Sequence, residues 1–127
     1  MKTSFSYTGI RVKDLKRSVD FYTKVLGMKV VGRSKIAIAK GEVVNLVSED
    51  DGFSLELNHY DKGSVYNSRY TVGEGLDHLA FKADDLEGVL AVAKKMGYPL
   101  AADMKTEKSR WVYIKDPNGI WIELFQG

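Results

Sequence analysis

Four residues could together do chemistry that none does alone: Tyr7, Glu56, His78 and Glu123. Glu56 sits in "DGFSLEL" (51–57) and Glu123 in "NGIWIEL" (118–124), each a carboxylate inside an otherwise apolar run. An imidazole and two carboxylates aimed at one point suit a divalent cation with open coordination positions. Zinc, nickel or cobalt fit that oxygen and nitrogen set, and manganese or iron remain open. The bland alternative makes both glutamates outward-facing charges on half-exposed strands. Separation along the chain means that only the fold can decide between the two.

The elements that must carry these residues are written twice. In the first half "FSYTGIRV" reads as a strand, and Asp14 is placed to cap a helix. Leu15, Val19, Tyr22, Val25 and Leu26 fall on one face of that helix, and Gly27 stops it. "KVVGRS", "KIAIAKG" and "VVNLVSE" follow as β-branched runs. "DGFSLELNH" comes next, after an Asp-Asp-Gly turn at 50–52. In the second half "GLDHLAFKA" is a strand, and Asp84 or Asp85 caps a helix with Leu86, Val89, Leu90, Ala93 and Met96 inward. Gly97 ends it, "YPLAAD" and "SRWVYIKD" are strands, and "NGIWIELFQ" closes the chain after the turn "DPNG".

The two halves match in order and at a nearly constant offset. Tyr7 answers to His78, Asp14 to Asp85, Gly27 to Gly97 and Glu56 to Glu123. The prediction is an α+β chain of two tandem βαβββ modules, about 4–60 and 75–127, joined by a polar loop at 61–74 and forming one domain over 1–127. Strand side chains alternate between faces, so parity assigns the surfaces. Ile10, Val12, Leu55, Leu57, Ile120, Ile122 and Leu124 are expected to pack inward. Tyr7, Glu56, His78 and Glu123 share the other face, with Arg11, Trp121 and Phe125 around them. His59 has the parity of Leu57 and is expected at a surface or edge, away from Glu56.

Composition narrows the partners. The 127 residues, 44% hydrophobic and 28% charged, are those of a globular chain with a core. A net charge of +2 without a basic cluster argues against nucleic acid. The absence of cysteine removes disulfides, thiolate ligands and thiol nucleophiles. No apolar stretch approaches membrane-spanning length and the first residues carry no secretory pattern, so a cytoplasmic location without a membrane partner is expected.

"IRVKDLKRSVDFYTKVLGMKVV", "GLDHLAFKADDLE" and "YIKDPNGIWIELFQ" resemble segments of glyoxalase I and its relatives in the vicinal oxygen chelate superfamily, which includes bleomycin resistance proteins and dioxygenases. That resemblance covers essentially the whole chain. It implies paired βαβββ modules forming a U-shaped, barrel-like mixed sheet with helices outside, usually completed as a homodimer. It also implies metal ligands at Tyr7, Glu56, His78 and Glu123, although glyoxalases place His or Gln where Tyr7 stands. Arg11 stands where glyoxalase I holds a carboxylate of glutathione, whereas Tyr60 and Glu74 depart from the residues expected around that co-substrate. The implied reaction is of lactoylglutathione lyase type, isomerising a hemithioacetal of methylglyoxal. Glu123 or Glu56 would shuttle the proton, and Trp121 and Phe125 would wall the site. A methylmalonyl-coenzyme A epimerase-like enzyme and a metal-free, bleomycin-type binding protein are the alternatives that the same resemblance allows.

Overall fold

The structure, a computed structural model, describes residues 1–2, 4–49 and 51–127; Asp50 of the expected Asp-Asp-Gly turn lies outside the described residues. Two compact units, Met1–Arg69 and Tyr70–Gly127, each hold one βαβββ module and one four-stranded mixed sheet, so the chain is α+β as expected. No helix among the described residues is long and apolar enough to cross a membrane.

In the first unit β1 (Thr8–Arg11) leads into α1 (Leu15–Asp20), then β2 (Lys29–Ile36), β3 (Gly41–Val47) and β4 (Ser54–Tyr60), with sheet order β1-β4-β3-β2. Asp14 starts the helix by accepting a hydrogen bond from the Arg17 amide at 3.0 Å. The helix then widens into a π-helical turn, Phe21–Val25, in which the Leu26 amide donates to the Phe21 carbonyl. That extra residue per turn lets Phe21 and Tyr22 both become fully buried, where the regular spacing had placed only Tyr22 inside. Gly27, at φ 72, reverses the chain as expected.

One expected strand is absent. "KIAIAKG" does not form its own strand: β2 runs on to Ile36, and Ala37–Ala39 make a 3-10 turn. Lys40 closes that turn in the left-handed region at φ 49. A lysine in that conformation leaves little trace in sequence, because only glycine and asparagine advertise it.

In the second unit β5 (His78–Ala83) leads into α2 (Leu86–Lys95), then β6 (Ala102–Lys105), β7 (Arg110–Lys115) and β8 (Trp121–Gln126), with order β5-β8-β7-β6. Asp85, not Asp84, is the cap, accepting from the Gly88 amide at 3.0 Å. Residues 98–100 of "YPLAAD" stay outside the sheet, since Pro99 has no amide to donate to a ladder; the Ala101 amide donates to the Tyr113 carbonyl at 2.7 Å and β6 begins at Ala102. The turn before β8 is built on buried Asp116, whose Oδ1 accepts the amides of Asn118 and Ile120, both at 2.8 Å.

Parity predicted the core. Ile10, Val12, Leu55 and Leu57 are buried in the first unit, and Ile120, Ile122 and Leu124 in the second. Each such side chain stabilises its unit by about 1.5–3 kcal/mol relative to exposure. With these faces spent on packing against the helix of the same unit, the alternate residues are left for chemistry.

Candidate functional site

In the first unit Glu56 lies mid-strand on β4, half-buried, between Gly9 of parallel β1 and Asn45 of antiparallel β3. Tyr7 precedes β1 by one residue and is 51% exposed. A Cβ on Gly9 would lie 3.9 Å from the Tyr7 ring and 3.3 Å from Asn58 Nδ2, so glycine keeps this face open beside Glu56. Asn58 fastens the two strands, its Nδ2 donating to the Ile10 carbonyl at 3.3 Å.

Arg11 is occupied locally. Its guanidinium donates to the Tyr66 carbonyl and to Ser68 Oγ, both at 3.2 Å, which draws the segment after β4 towards β1. Tyr60 and Tyr66 lie ring against ring at 5.3 Å, and Asn67 Nδ2 donates to the Tyr60 carbonyl at 3.1 Å. The start of the segment after β4, expected as a polar loop, is therefore held in place by these side-chain contacts. His59 is the edge residue that parity predicts: its Nδ1 is 3.3 Å from the Val12 carbonyl, and it ties down the end of β1.

In the second unit the chemistry is denser. His78 opens β5 opposite Trp121 of parallel β8, and Glu123 follows two residues along β8, opposite Ala80 on one side and Tyr113 of β7 on the other. This register brings His78 Nε2 to 3.7 Å from Glu123 Oε2. On the other side of the ring, Nδ1 is 2.6 Å from Asp77 Oδ2. Tyr113 packs edge-to-face against the imidazole at 6.0 Å and against Trp121 at 5.5 Å, and Lys115 Nζ sits 4.6 Å from the Trp121 ring centre.

Beyond Glu123 the same face of β8 opens into a cleft of about 660 Å³. Trp111 and Phe125, cross-strand partners on β7 and β8, wall it together with Leu86, and Lys108 and Arg110 stand at its polar side. Arg110 is already paired: Nε and Nη2 reach the two Asp103 oxygens at 3.0 Å and Nη1 reaches Glu87 Oε1 at 2.7 Å. Those hydrogen bonds raise the guanidinium pKa still further and hold the Asp103 carboxyl below its ordinary range. Of the two aromatics expected to wall a site, Phe125 lines this cleft, whereas Trp121 belongs to the stack over Tyr113 and Lys115.

The donor types fit a divalent cation. An imidazole nitrogen and a carboxylate stand side by side in the second unit, and an acidic residue sits on the outer nitrogen of that imidazole, one of the partners that metal-binding histidines commonly have. Among the described residues, no group of three or more His, Cys, Asp or Glu side chains stands close enough together to hold a metal ion. Sequence reasoning missed Asp77, Trp111 and Tyr113. Asp77 adjoins His78, and the parity of "SRWVYIKD" places Trp111 and Tyr113 on one face; their pairing with Phe125 and Glu123 needed the sheet register.

Comparison with known proteins bears on family and fold. A family model for the Glyoxalase/Bleomycin resistance protein/Dioxygenase superfamily matches residues 4–124. A lactoylglutathione lyase of Pseudomonas aeruginosa is 30% identical over 96% of this chain and 81% of its own length. YwbC of Bacillus subtilis, an uncharacterized protein, is 30% identical over 99% of both chains. Among solved structures, the trypanothione-dependent glyoxalase I of Leishmania major is 31% identical with a TM-score of 0.75, covering 98% of this chain and 87% of that one.

Proposed function

The chain belongs to the glyoxalase/bleomycin resistance protein/dioxygenase superfamily, and on that premise we propose that it is a metal-dependent lyase of the lactoylglutathione lyase type. The substrate is the hemithioacetal of a 2-oxoaldehyde such as methylglyoxal and a thiol. Its product is the isomeric 2-hydroxyacyl thioester. The observation that carries the reading is the pairing of His78 with Glu123 at 3.7 Å, Glu123 itself lining a cleft that Trp111 and Phe125 also wall.

The proposed ligands are His78, Glu123 and, from the equivalent place in the first module, Glu56, with Tyr7 at the fourth family position. A divalent ion there supplies Lewis acidity to neighbouring substrate oxygens. The protein's own groups do the rest. A carboxylate oxygen of Glu123 takes the proton from the aldehyde-derived carbon and returns it to the adjacent one, while the hydroxyl proton passes from the oxygen of the first carbon to that of the second, so reactant and product are isomers and no other reagent is needed. Glu56 is the alternative carrier. Trp111 and Phe125 hold the apolar part of the substrate and exclude water that would intercept the proton. Arg11 stands as the proposed anchor for an anionic group of the thiol, a role that requires it to exchange its contacts with Tyr66 and Ser68.

A homodimer belongs to this reading. Val31, Ile36 and Ile38 are 61%, 40% and 97% exposed on and just after the edge strand β2, an apolar edge that a second copy would cover. Sedimentation of the purified protein tests it.

The deciding experiment is metal titration with nickel or zinc, followed by assay with methylglyoxal and glutathione. Near-stoichiometric binding, with both binding and isomerisation lost in Glu123→Gln, supports the lyase. A protein that binds no divalent ion and leaves the hemithioacetal unchanged would instead be a metal-free small-molecule binder.

A further inference from the structure

We propose that Asp77 is a positioning residue that keeps the proton of His78 on Nδ1 and so leaves Nε2 as a lone-pair nitrogen facing Glu123. The inference rests on the reading of His78 as a ligand and adds which nitrogen is free and what holds it free. The two edges of the imidazole are not equivalent. Nδ1 is 2.6 Å from Asp77 Oδ2, a short charge-assisted contact, whereas Nε2 is 3.7 Å from Glu123 Oε2, beyond hydrogen-bond range. A neutral imidazole carries one proton, and the strong acceptor on the Nδ1 side takes it.

This reverses the ordinary preference, because a free neutral histidine favours the proton on Nε2. Left to that preference, His78 would present an N–H, not a lone pair, on the side where Glu123 lies. Asp77 reaches the ring of its own neighbour because β5 starts at His78, which leaves Asp77 outside the alternation of the strand. Tyr113 completes the hold: its ring meets the imidazole at 86° and limits rotation about the side-chain torsions. The Asp77 side chain is 94% exposed, so solvent screens its charge and its effect is chiefly directional.

The test uses the full chain, free of metal, with nitrogen-15 correlation of the histidine rings at a pH where both are neutral. Only His59 and His78 contribute signals, and His78→Gln assigns them. The wild type is expected to show the Nδ1–H form at His78, Asp77→Ala to move towards Nε2–H, and Asp77→Asn to restore Nδ1–H through its amide oxygen. Zinc affinity should fall about tenfold in Asp77→Ala, the low end for such outer partners, with recovery in Asp77→Asn. An Nε2–H wild type, or an Asp77→Ala protein with unaltered tautomer and zinc affinity, overturns the proposal. Unaltered zinc affinity in His78→Ala instead removes the ligand reading, and the tautomer measurement still judges Asp77.

Discussion

His78 Nε2 lies 3.7 Å from Glu123 Oε2 because β5 and β8 are parallel neighbours whose register sets His78 against Trp121 and Ala80 against Glu123. The two side chains share a face two residues apart along the strands, close enough for one ion or one proton to concern both. Neither belongs to the packed core: the residues flanking Glu123, Ile122 and Leu124, occupy the opposite face at 0% and 1% exposure. Buried neighbours therefore fix the direction of the carboxylate without consuming it.

Tyr7 gives the sharpest test of the ligand set. A phenol is a poor neutral ligand, with a reference pKa of about 10, whereas imidazole offers a lone pair at neutral pH. Tyr7→His is expected to tighten nickel or zinc binding at least about tenfold by calorimetry. Unchanged affinity would mean that position 7 takes no part in holding the ion.

Trp111 should act on substrate binding more than on proton transfer. It walls the cleft beside its cross-strand partner Phe125, whereas the cross-strand partner of Glu123 is Tyr113. Trp111→Ala is expected to raise KM about five- to tenfold with kcat little altered, the signature of lost uniform binding. Steady-state kinetics showing a fall in kcat at constant KM would contradict that assignment.

The helix caps should matter equally in the two modules. Asp14 and Asp85 each accept one amide of the first turn at 3.0 Å. Alanine at either position is expected to cost about 1 kcal/mol in urea unfolding. Gly88→Ala should cost a similar amount without touching Asp85, because the new Cβ would stand 2.3 Å from Asp85 Oδ2 and displace the cap. Full stability in Gly88→Ala would show that the helix start can shift to accommodate it.

Asp103 sets an acid limit on the β6–β7 hairpin. Hydrogen bonds from Arg110 hold its folded-state pKa below the ordinary carboxylate value. A depressed pKa means that its contribution is fully present above the unfolded value of about 4 and is lost as pH falls through the lower folded value. Asp103→Asn is expected to flatten the loss of thermal stability as pH falls below about 4, and to leave the slope near neutrality unchanged. Scanning Tm against pH for both proteins checks the sign.

Much of this was legible in the sequence. Asp14, Asp85, Gly27 and Gly97 announce where helices start and stop, since capping oxygens and positive φ are local needs. The alternation around Glu56 and Glu123 announces which residues turn away from the core, because a pleated strand permits only two directions. The turn at Lys40 and the π-helical turn at Phe21 were not announced: the first is held by hydrogen bonds such as that from the Asp61 amide to the Lys40 carbonyl, the second by the burial of Phe21 and Tyr22, and the residue types favour neither conformation.

What only tertiary structure decided is which side chains meet. Parity puts Trp111 and Tyr113 on one face of β7, but hydrogen-bonded register sets Tyr113 against Glu123 and Trp111 against Phe125. Asp77, next to His78 in the chain, becomes its partner only because the strand begins one residue later. Local sterics choose the face of each residue, and they act within a few bonds. The neighbour across a sheet is chosen by backbone pairing between segments far apart along the chain, and no local rule contains that distance.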